Sequence, residues 1–162
     1  MCMMVYIGSD NELPLIDRWG NNTSPIYIWE LDCSYDDDDF ANNALVKKYK
    51  YGVGSWQGCA CGFAFDYSDQ FNELPWFLRV LTSKEEKKEH IENIKENNDL
   101  GKQSFESLFE YICVYVANDN CELLSFWTDN FEIKDRSIID LKAFSLGDSF
   151  KFSDGQYITV SK

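Results

Sequence analysis

The stretch SFESLFEYICVYVA, residues 104–117, decides how the rest of the chain is read. Phe105, Leu108, Phe109, Ile112 and Val116 recur at spacings of three and four, which places them on one stripe of a helix and turns that stripe toward a core. Upstream, Ser83-Lys84-Glu85-Glu86 is a capping box: the Ser83 hydroxyl bonds the Glu86 amide and Glu86 reaches back. A helix is therefore expected to begin at Lys84. Its sequence, KEEKKEHIENIKENN, is polar nearly all round apart from Ile91 and Ile94, so it is read as a surface helix that stops before Gly101.

On either side of this helical middle the pattern changes to strands. Toward the N-terminus, MMVYIG (3–8), IYIWELDC (26–33) and YKYGVG (49–54) are short runs rich in β-branched and aromatic residues, ended by glycine or turn residues. Asp36 to Asp39 stand ahead of FANNALVKKY, where an acidic first turn complements the positive end of a short helix. After the turn Asn118-Asp119-Asn120 come CELLSFWT (121–128), SIIDL, FKFS and the terminal QYITV. Strands, then helices, then strands imply an α+β fold: one domain over residues 1–162, with a mostly antiparallel or mixed sheet and two or three helices. A chain of 162 residues supports one real core, and 16% aromatic content supplies it without disulfides.

The formal net charge of -13 excludes whole classes of function. Such a surface repels phosphate backbones and anionic lipid, so neither nucleic acid nor a membrane is expected as a partner. It draws in basic proteins instead. No apolar run is long enough to span a bilayer, and MCMMVYIGSDNELP lacks the basic start of a secretory signal, so the protein is expected to be cytoplasmic with its six cysteines reduced.

One segment looks built for chemistry: GSWQGCACGF, residues 54–63. An extended Cys59-Ala60-Cys61 would put both sulfurs on one side of the chain, facing a single thiophilic metal such as zinc. A structural zinc site needs two more ligands, to be drawn from Cys2, Cys33, Cys113, Cys121 or His90, and none of these forms a second closely spaced pair. Redox chemistry ordinarily has two residues between the cysteines, and His90 on a polar helix offers no base for a distant thiol. The glycines do not form G-x-G-x-x-G, because Gln57 occupies the third position. The plainest reading is a tight turn with one or more of Gly54, Gly58 and Gly62 at positive φ, and with Cys59 and Cys61 reduced, mostly buried and without a cofactor.

MCMMVYIGSD, LPLI, VGSWQGCACGF, ELLSFWTDN and the terminal ITV together resemble a family of small bacterial proteins with an MCMxVYI-like first strand and a VGSxxGCxCGF-like loop, in which glycine tends to stand at the place of Ala60. The resemblance implies a shared fold at both ends and in the central loop. It brings no activity and no functional residue. Size, acidity and aromatic richness suggest an acidic protein-binding module, for example an immunity protein or inhibitor of a basic partner such as a nuclease toxin, and not an enzyme. Carboxylates would steer the encounter and aromatic side chains would anchor it, with Asp36, Asp37, Asp38, Asp39, Trp56, Asp66, Asp69 and Trp127 as contacts. The alternative is a thiolate protein, metal-binding or redox-active, centred on Cys59 and Cys61.

Overall fold

The computed structural model describes residues 2–18, 24–63, 83–116, 120–144 and 151–161. It is α+β: one mixed sheet of six strands in the order β2-β3-β1-β4-β6-β5. The strands are β1 (Met3–Ser9), β2 (Ile26–Glu30), β3 (Tyr49–Ser55), β4 (Cys121–Trp127), β5 (Asp135–Asp140) and β6 (Gln156–Ser161). All neighbours are antiparallel except β5 and β6. β1 lies at the centre, with Val5 opposite both Val53 and Ser125, so the first residues of the chain are held from two sides.

Alternation along each strand divides the apolar residues between two faces. Val5, Ile7, Ile28, Val53, Leu123 and Ile158 pack with Phe105, Leu108 and Ile112 of the helix α2 (Lys84–Tyr115). Tyr6, Leu124 and Tyr157 meet Ala41 and Leu45, on and just beyond the helix α1 (Asp36–Ala44). A one-turn helix, α3 (Leu141–Phe144), follows β5.

Three local expectations need correction. The helices expected on either side of Gly101 are one element, because Ile91, Ile94, Asn98, Gly101, Phe105 and Leu108 continue a single inward stripe, and one glycine in a helix costs only about 1 kcal/mol. The capping box at Ser83 and Glu86 starts that helix as read. The second strand stops at Glu30 rather than Cys33, since the Asp32 amide is taken by the Asp38 carboxylate. Residues 151–153 form no strand; Phe152 instead turns inward against Phe63 and Phe105.

Candidate metal centre

The segment after β3 folds around Ser55. Its hydroxyl bonds the Cys59 carbonyl at 2.6 Å and accepts the Gly62 amide at 3.1 Å, while the Ser55 amide donates to the same Cys59 carbonyl at 3.0 Å. Gly58 makes the reversal possible at φ +82. The chain then enters a 3-10 turn, Ala60–Phe63, so Cys59-Ala60-Cys61 is not extended as expected. The two sulfurs nevertheless lie within 4.8 Å of each other. Ala60 and Phe63 are buried in the core, and both cysteines are half-buried at its margin.

The third participant comes from the start of the chain. Pairing of β1 with β4 is extended by mutual bonds between Cys2 and Thr128: the Thr128 amide donates to the Cys2 carbonyl at 3.0 Å, and the Cys2 amide to the Thr128 hydroxyl at 3.3 Å. The Met3 amide donates to the Cys61 sulfur at 3.3 Å. As a result the sulfurs of Cys2, Cys59 and Cys61 all lie within 4.8 Å of one another, the only such group of His, Cys, Asp or Glu among the described residues. A metal–sulfur bond of about 2.3 Å sets sulfur separations of about 3.8 Å around a tetrahedral ion and about 4.0 Å around a trigonal one. A contraction of at most about an ångström brings the cluster to a metal.

Burial grades the three thiols. Cys2 is exposed, while burial pushes the Cys61 thiol up to about 11, opposed by the Met3 amide and reinforced by Cys59 and Cys2. Cys121 is also pushed up, to about 12, by burial at the opposite end of β4, roughly 20 Å along the strand from Trp127. Sequence reasoning named Cys2 only as one of several conceivable ligands. Its place is fixed by strand pairing across most of the chain, which no local spacing reveals.

The residues expected to meet a basic partner are dispersed. Asp36 and Asp39 are exposed and Asp37 is half-buried, but Asp38 turns inward, accepting the Tyr6 hydroxyl at 2.9 Å and the Asp32 amide at 2.7 Å. Asp38 is thus a structural carboxylate, held above the usual range by burial. The N-cap is Tyr35, with no side-chain cap, so the aspartates favour the helix end by charge. Trp56 is half-buried, its backbone amide bonding Ser104, and its indole N–H is buried without a partner among the described residues. Trp127 packs against the core opposite Met3. Asp66 and Asp69 lie outside the described residues.

No family model matches the chain, and no curated protein or solved structure is similar to it. Among the described residues no helix is long and apolar enough to cross a membrane.

Proposed function

We propose that this protein binds a thiophilic metal ion through Cys2, Cys59 and Cys61. The observation that carries the reading is the convergence of three sulfurs from two distant parts of the chain within 4.8 Å. Thiolates favour soft cations over magnesium or calcium, which seek oxygen. The surroundings fit a prebuilt site: Thr128 pins Cys2, Ser55 pins the Cys59 carbonyl, and an amide already points at the Cys61 sulfur. Reduced protein dialysed anaerobically against a thiophilic ion should retain one ion per chain. Cys2→Ala should lose it, whereas Cys33→Ser should keep it; equal retention by all three proteins would defeat the reading.

A second reading, an acidic module that captures a basic protein, is favoured by the outer surface of α1. There Tyr35 is 63% exposed beside Asp36 and Asp39, and Phe131, 42% exposed, rests on Phe40 of the same helix. Exposed rings among carboxylates suit a cationic partner. Capture of a basic protein from the native host, lost in Tyr35→Ala, is the expected result, and capture unaffected by that change would count against this surface.

A further inference from the structure

We propose that the ion held by Cys2, Cys59 and Cys61 is copper(I), bound by these three thiolates. This rests on the thiolate-metal reading above and adds the identity of the ion and its coordination number.

Beyond the cluster there are only three other cysteines, Cys33, Cys113 and Cys121, and one histidine, His90. Ser104 of α2 touches the loop through its bond to the Trp56 amide, which gives a point to measure from. His90 lies roughly 20 Å, and Cys113 roughly 13 Å, along the helix from Ser104. Cys121 sits at the far end of β4. Cys33 follows the end of β2 that pairs with Tyr51, whereas the cluster adjoins the end that pairs with Ser55. Neither the histidine nor a fourth cysteine reaches the site.

That count separates the soft cations. Structural zinc is almost always four-coordinate, and zinc with three protein ligands leaves a position for water in sites that supply acid and base groups. Among the described residues no histidine or carboxylate joins the three sulfurs. Copper(I), softer and only singly charged, is selected by sulfur ligands and is satisfied by two or three of them, whereas zinc(II), closed-shell as well, takes four. The Met3 amide N–H, aimed at the Cys61 sulfur, stabilises the charge of a thiolate cluster without adding a ligand.

The gradient of exposure shows how the ion enters. Cys2 is exposed, and Cys59 and Cys61 lie half-buried behind it. Copper(I) carried by a small thiol would exchange one ligand at a time. The copper–sulfur bond to Cys2 forms as one to the carrier breaks and the Cys2 proton passes to the departing carrier thiolate; Cys59 follows in the same way, and Cys61 then binds with its proton going to a remaining carrier thiolate or to water. No electron changes hands.

The test is anaerobic competition on the full chain, offering copper(I) as its glutathione complex and, separately, zinc(II), each against a chromophoric chelator. X-ray absorption at the metal edge then counts the bound sulfurs. One copper(I) per chain with three sulfur neighbours is expected, with retention lowered at least about tenfold in Cys2→Ala and unchanged in Cys33→Ser. Cys2 is exposed, so its replacement leaves the core intact, which circular dichroism verifies. Retention of zinc(II) but not copper(I) would overturn the copper assignment and leave the thiolate-metal reading standing. Copper(I) held by two sulfurs and indifferent to Cys2→Ala would overturn the three-coordinate geometry. Retention of neither ion would overturn both readings.

Discussion

At Gly58 the backbone turns at φ +82, and a methyl group placed there would come within 2.2 Å of the Arg18 guanidinium carbon. Both facts bear on the candidate site, because this turn delivers Cys59. Gly58→Ala should cost about 1–2 kcal/mol in urea unfolding, the penalty of a left-handed conformation, and should weaken metal retention. Unchanged stability would mean that the turn relaxes freely. Asp38 sets a different residue-scale expectation. Its folded-state pKa is raised, chiefly by burial, so the folded protein holds this proton more tightly than the unfolded chain. The corresponding stability is complete below the ordinary carboxylate range and is lost as pH rises through the raised value. Asp38→Asn should therefore flatten the fall in stability from acid toward neutral pH, measured as urea midpoints across that interval. Parallel curves for the two proteins would show that Asp38 is not its source.

Within single elements, α2 carries the sharpest stability contrast. Leu108 is fully buried against the sheet, whereas Val114, on the same helix, is 65% exposed. Leu108→Ala should lose about 2–5 kcal/mol, and Val114→Ala should stay within about 0.5 kcal/mol. Similar losses from both would put the wrong face of α2 inward. This stripe was legible because residues at spacings of three and four determine a helical face without outside information. The capping box was legible for the same reason. Gly101 misled because helix propensity is a weak signal beside a packing stripe that continues through it. The Cys59–Cys61 pair was visible but its backbone was not: the 3-10 turn depends on Ser55 and on its contact with α2, both tertiary facts. Cys2 could not be told from the other candidate ligands, since only the register of β1 against β4 brings residue 2 beside residue 61. Tertiary pairing likewise converts Asp38 from surface charge to buried acceptor, and composition cannot separate it from its three neighbours.

Over the whole molecule, the charge of -13 and the thiolate cluster make separable demands. Association with a basic protein should slow as salt rises, because fields between exposed charges are screened beyond about 10 Å at 0.1 M ionic strength. An on-rate indifferent to salt would remove the electrostatic basis of that reading. Metal retention is local and should vary far less with salt. The fold supports the cluster by fixing its two halves independently, one on the central strand β1 and one on the turn after β3, with the core closed behind them. The most direct measurement is thiol alkylation followed by mass spectrometry, with and without one equivalent of copper(I), under reducing anaerobic conditions. Bound metal should protect Cys2, Cys59 and Cys61 together and leave the exposed Cys33 as reactive as before. Protection of Cys59 and Cys61 without Cys2, or of none of the three, would contradict it.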